Sequence, residues 1–191
     1  MTKNRLESFS DGVLAVIITI MVLEMKVPLG GDLAALRPLV PVFVSYVLSF
    51  VFVAVYWNNH HHLLHAATHV TGGILWANLH LLFWLSLIPF VTGWMGANDF
   101  AGLPVAMYGA VQLMAGFAFF ILAQSLVATH GKDSTLAKAI GRDFKGKASL
   151  AIYVVAVPLA FFSPLIAFVL YVAVAIVWIV PDRRIERAVA S

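Results

Sequence analysis

Long stretches without a single formal charge decide what this chain can become. No Asp, Glu, Lys or Arg occurs between Arg37 and Asp99, from Phe100 to Gly131, or from Ala148 to Pro181. A helix that crosses a bilayer needs roughly 20 predominantly apolar residues, so each stretch holds more than one span or a span plus a turn. Of the 191 residues, 62% are hydrophobic and 11% charged. A soluble domain is charged at about a quarter of its positions, and a helical core this apolar would have no polar faces left to solvate it. The expectation is an all-α integral membrane protein. There is no cysteine, so neither disulfides nor thiolate metal sites arise.

Six transmembrane helices are expected, forming one domain over residues 1–191, at about 8–26, 36–61, 74–95, 103–129, 147–162 and 164–180. The breaks have local causes. Pro28-Leu29-Gly30-Gly31 favours a turn after the first helix, Gly72-Gly73 precedes the third, and Gly96-Ala97-Asn98-Asp99 separates the third from the fourth. Ser163-Pro164 divides the last charge-free stretch, because the residue before proline is pushed out of the helical region while proline suits a first helical position. Pro158 should kink the fifth helix and Pro89 the third, where Thr92 is a candidate to satisfy the freed carbonyl.

Basic residues then orient the spans. With both termini cytoplasmic, Lys3, Arg5, Lys132, Lys138, Arg142, Lys145, Lys147, Arg183, Arg184 and Arg187 all lie inside, and only Lys26 and Arg37 lie outside. That distribution satisfies the positive-inside rule. A net charge of +3 gives no reason to expect a nucleic-acid partner; the expected surroundings are a lipid bilayer.

The first helix is the unusual one. Arg5, Phe9, Ser10 and Asp11 stand at the entrance of a run whose charge-free centre, Gly12 to Leu23, is short for a helix facing lipid. Burying Asp11 and Arg5 in a membrane costs several kcal/mol unless they find partners, so this helix is expected to line something. Gly12, Val16, Thr19, Ile20 and Leu23 share one face by their spacing. Spacing alone leaves two readings open: ordinary core packing with Thr19 bonded back to its own helix, or the wall of a passage.

The second helix ends in Trp57-Asn58-Asn59-His60-His61-His62, with His65 and His69 following. The four-residue spacings could share a metal or hold haem, but no carboxylate lies in this segment to support such ligands, and a structural role is expected. His60, Asn78 and Arg5 are expected partners for Asp11, forming a polar cluster with Phe9, Ser10 and Trp57. On the fourth helix, Ala106, Gly109, Ala110 and Gly116 form a small-residue face suited to close helix approach, within the chain or between copies. Phosphate loops, zinc-protease pairs and nucleophile elbows are absent, so no enzymatic activity is expected.

The motif Arg5-x-x-x-Phe9-Ser10-Asp11, followed by Thr19 and by Leu23-Glu24, resembles the signature of the transmembrane protein 175 family of potassium channels. The resemblance continues in Trp57-x-x-His60-x-x-Leu63, in Asn78-Leu79 and in Pro89-Phe90-x-Thr92. It implies a single-repeat prokaryotic form that assembles as a homotetramer, with the first helix lining the pore and no carbonyl filter. The implied constriction is Val16, Ile20 and Leu23, with Thr19 as a hydroxyl layer tied to selectivity. Val16 stands where members commonly carry isoleucine or leucine, and a smaller ring widens the pore there. Ion transport with potassium as the permeant ion and without a cofactor is the implied function. A proton-coupled transporter working through Asp11 and a histidine-based metal- or haem-binding membrane protein are the alternatives.

Overall fold

A computed structural model describes residues 2–131, 137 and 143–179. Its helices are α1 (Lys3–Leu23), α2 (Val40–His65), α3 (Gly72–Ser86), α4 (Ile88–Ala97), α5 (Gly102–His130), α6 (Phe144–Leu159) and α7 (Pro164–Ile179), with a 3-10 helix, Leu33–Leu39, leading into α2. α3 and α4 follow one another across a single break, so the described residues make six helical passes. Four of them are long and apolar enough to cross a membrane: Lys3–Leu23, Leu33–His65, Gly72–Ala97 and Gly102–His130. The molecule is an all-helical integral membrane protein.

Several boundaries differ from the sequence expectation, each for a physical reason. α1 begins at Lys3 rather than near residue 8, because the buried stripe Leu6, Ser10, Leu14, Ile17 and Met21 runs back through the charged entrance with helical periodicity. α2 continues past residue 61 to His65 because His60, Leu63 and Leu64 are still buried. The third pass is interrupted at Leu87: Pro89 sits in the first turn of α4, and the Leu87 amide turns back to the Trp84 carbonyl at 3.2 Å. Thr92 does not reach the carbonyl freed by Pro89; its hydroxyl donates to Ile88 O, one helical turn back, at 2.6 Å. α6 begins earlier than expected because the Asp143 carboxylate caps it, accepting from the Gly146 amide at 3.0 Å. It ends at Leu159, where a tight turn through Ser163 leads into α7. The cytoplasmic charges expected at Lys132, Lys138, Arg142, Arg183, Arg184 and Arg187, and the end of the sixth helix at Val180, lie outside the described residues.

α5 runs through the middle of the bundle and packs on α3, α4, α6 and α7, while α1 lies against α2, α3 and α4. In lipid there is little hydrophobic drive between helices, so close fit must hold them together. Small residues supply it. Ala106, Gly109, Ala115, Ala118 and Ala123 bring the neighbours close to α5, and Tyr171 of α7 lies across Gly109 where any Cβ would overlap its ring. The small-residue face expected to serve packing within the chain or between copies thus serves packing within the chain at Ala106 and Gly109. Gly96 does the same for α4 and α2: a Cβ there would stand 2.6 Å from the Val42 backbone.

Gly96→Ala should therefore destabilise the fold by about 1–3 kcal/mol, the usual cost of overpacking. Gly93→Ala in the same helix, where a Cβ meets nothing within 4 Å, should be silent or slightly stabilising. Thermal unfolding of the two variants in detergent reads the difference; equal melting temperatures would contradict the close α2–α4 approach.

Candidate functional site

Two sets of polar contacts hold α1 in one rotation about its own axis. The first is a ladder to α2. Lys3, Glu7 and Asp11 are spaced one turn apart on α1, and His65, Trp57 and His61 are spaced likewise on the antiparallel α2. Lys3 Nζ donates to the backbone carbonyls of His65 (2.9 Å) and Ala67 (3.0 Å). Glu7 Oε1 lies 3.0 Å from His61 Nδ1. Trp57 Nε1 donates to Asp11 Oδ1 at 3.0 Å. His61 stacks between Trp57 and His65.

The second set is buried. His60 Nε2 and Asn78 Oδ1 are 2.7 Å apart, Asn78 Nδ2 donates to Ser10 Oγ at 3.0 Å, and Ser10 Oγ donates to Leu6 O at 2.9 Å. Because the amide oxygen can only accept, His60 must carry its proton on Nε2, and the donations run in one direction from α2 through α3 into α1. His60 Nδ1 is left buried without a partner.

Of the residues expected to cluster, Trp57 meets Asp11, and His60, Asn78 and Ser10 form a separate chain of hydrogen bonds. Asp11 is joined to Trp57 and not to His60, Asn78 or Arg5. Asn78 bridges His60 and Ser10 instead, accepting from the one and donating to the other. Arg5 and Asp11 are six residues apart, roughly 240° around a helix, and so cannot meet on one face. Arg5 is exposed and makes no hydrogen bond or ion pair among the described residues. Phe9 is exposed beside the outward face.

With α1 so fixed, its two faces differ sharply. Ile17 is 3% exposed against the bundle, whereas Val16, Ile20 and Leu23 are 55%, 41% and 80% exposed. A Cβ on Gly12 would meet nothing within 4 Å. Thr19 is exposed on the same face, and its hydroxyl donates to Val16 O at 2.9 Å. That bond spends the proton and leaves the oxygen lone pairs free to accept. The face therefore offers three apolar side chains and one outward-facing acceptor, which is the chemistry of a surface that can meet a cation but cannot bind it tightly. Among the described residues, no three His, Cys, Asp or Glu side chains are placed to share a metal ion.

Sequence reasoning missed two features. The partnership of Glu7 with His61 and of Lys3 with the α2 terminus was visible as matched four-residue spacings on two adjoining helices. A second buried network, in which Thr92 of α4 (2.7 Å) and Tyr108 of α5 (3.0 Å) meet the Ser49 hydroxyl of α2, with Gln112 donating to Tyr108 at 3.2 Å, was signalled only by isolated polar residues in charge-free stretches.

The buried relay gives a direct test. Asn78→Leu keeps the volume but orphans the His60 proton and the Ser10 oxygen, at about 1–3 kcal/mol for each unsatisfied group. Thermal unfolding should register that loss, whereas Arg5→Gln, which breaks no contact among the described residues, should melt as the parent does.

Similarity to known proteins points to one family. The family model described as the endosomal/lysosomal potassium channel TMEM175 matches residues 5–89, the segment that contains most of α1, all of α2 and α3, and the start of α4. A potassium channel of Chryseobacterium sp. (strain P1-3) is 52% identical over 188 residues, 98% of each chain. A potassium channel of Streptomyces collinus is 30% identical over 125 residues, 61% of each chain. Among solved structures, the crystal structure of a lysosomal potassium-selective channel TMEM175 homolog from Chamaesiphon minutus superposes with a TM-score of 0.81 at 26% identity, covering 93% of this chain and 96% of that one. The chain belongs to the TMEM175 family of potassium channels.

Proposed function

We propose that copies of this chain assemble as a homotetramer around the outward face of α1 and conduct cations, potassium in preference to sodium. The observation that carries this reading is the contrast on α1: one face is sealed into the bundle, and the opposite, mostly apolar face, with Val16, Thr19, Ile20 and Leu23, stays exposed among the described residues. Residues 1–191 then form a single channel domain, with both termini on the cytoplasmic side of a prokaryotic plasma membrane. The positive-inside distribution of lysine and arginine supports that orientation.

In this arrangement Val16, Ile20 and Leu23 form successive apolar rings, and an ion that crosses them must shed part of its water. Hydrophobic constrictions of this kind also gate by dewetting. Potassium holds its hydration shell less tightly than sodium, so partial dehydration favours it without a binding site. Thr19 oxygens, their protons held by Val16 carbonyls, supply one acceptor layer between the rings. The smaller Val16 ring leaves the passage widest there. Asp11, Glu7, Ser10 and their partners are scaffold: they set which face of α1 the ions meet. Nδ1 of His61 is occupied by Glu7 and Nε2 of His60 by Asn78, which supports a structural role over a metal or haem site.

Planar-bilayer recording of purified protein tests the reading. Unitary currents are expected, with reversal potentials that favour potassium. Leu23→Asn and Ile20→Asn should hydrate the rings, raise conductance and lower the potassium preference. Thr19→Ala should lower the preference and leave open probability nearly unchanged. Substrate-linked pH changes without unitary events would instead support a proton-coupled transporter.

A further inference from the structure

The first turns of α1 carry the charged side chains Lys3, Arg5, Glu7 and Asp11. Lys3 is engaged by the His65 and Ala67 carbonyls, Glu7 by His61 and Asp11 by Trp57, all of them toward the α2 end of the bundle. Arg5 takes no part. It is exposed and makes no hydrogen bond or ion pair among the described residues. Phe9 and Gly12, which follow it along the same side of the helix, are exposed as well.

Helical phase gives the reason and the direction. α1 is helical from Lys3 to Leu23 without a break, so its side chains keep one register of about 100° per residue. Lys3 and Glu7, two residues to either side of Arg5, are turned roughly 160–200° away from it, which puts α2 out of its reach. Leu23 stands about five whole turns on and shares its direction, and Val16 lies within about 20° of it. Arg5 therefore continues the outward stripe of Gly12, Val16, Ile20 and Leu23, about 17 Å from Val16 along the axis. A guanidinium stays charged at every physiological pH, so the stripe ends in a permanent positive charge.

We infer that Arg5 determines the direction in which current flows most readily. Repeated around the axis proposed above, its guanidiniums form a cationic ring at the cytoplasmic mouth, which thins the cations waiting there and makes outward current smaller than inward current. The inference rests on the reading that the α1 face lines the passage. The ring sets how many cations reach the constriction from one side, whereas the apolar rings set which of them cross. Charged clefts carry potentials of several kT, and one kT alone changes the local cation concentration about threefold.

Inside-out patches from membranes that carry the full chain define the side from which current flows. In about 0.05 M symmetric potassium, outward unitary current should be about two- to threefold smaller than inward current at equal driving force. The difference should vanish in about 1 M salt, where the screening length falls to about 3 Å. Arg5→Gln should remove it at low salt and Arg5→Lys should keep it. The chain has no native cysteine, so Arg5→Cys permits a comparison within one folded channel. A cationic thiol reagent should restore the difference and an anionic one should invert it, which a purely structural role would not produce. If Arg5 instead pairs with an acid of a neighbouring copy, Arg5→Gln should loosen the assembly in mild detergent and the two reagents should act alike; that result overturns the assignment. Parent currents without a salt-dependent difference overturn it and leave the channel reading standing. Absence of unitary currents in the parent overturns the channel reading and this inference with it.

Discussion

Everything distinctive about this protein depends on the rotation of one helix. α1 carries apolar residues on all sides, so hydrophobicity alone cannot choose which face it buries. In lipid, where both faces are equally compatible with the surroundings, polar contacts must make the choice. Lys3, Glu7 and Asp11 engage the end of α2 at three successive turns, and Ser10 is drawn into the bundle by Asn78. Turning α1 by one residue, about 100°, would break all of these at once. The same contacts leave Val16, Thr19, Ile20 and Leu23 pointing away from the chain.

Single exposed ion pairs contribute little, on the order of 0–1 kcal/mol. The Ser10–Asn78–His60 relay is different because it is buried and each member satisfies the next. Its importance lies in what an alternative rotation would orphan: the cost of unmade buried hydrogen bonds exceeds the gain from made ones. A bundle can in this way hold an uncovered apolar face in a defined direction without packing anything against it. His60 Nδ1 and Gln112 Oε1 are the two buried polar side-chain atoms without a partner among the described residues, so the polar interior is otherwise closed.

Much of this was legible in the sequence. The charge-free stretches and their glycine and proline breaks were enough to place the helical passes, and Arg5-x-x-x-Phe9-Ser10-Asp11 was enough to single out the first helix and suggest its family. Pairings were harder. Asp11 was expected to find His60, Asn78 or Arg5, but helical phase excludes Arg5, and Asn78 joins His60 to Ser10 instead. Such competition depends on the angle at which helices cross, which no single helix encodes. Helix ends were misjudged where charged side chains were read as outside the helix; at Lys3 and Glu7 the backbone is helical and the charges reach sideways to α2. The Leu87 break followed from Pro89, yet the destination of the Thr92 hydroxyl could not be chosen from sequence because Ile88 and Ser49 both lie within its reach.

The central claim is that the outward face of α1 meets the same face of other copies around a common axis. Oxidative cross-linking measures it directly, because the chain has no native cysteine. Ile20→Cys in native membranes should give a covalently linked pair of subunits on mild oxidation, while Ile17→Cys, turned into its own bundle, should remain monomeric on a denaturing gel. Efficient cross-linking at Ile17→Cys with none at Ile20→Cys would contradict the account.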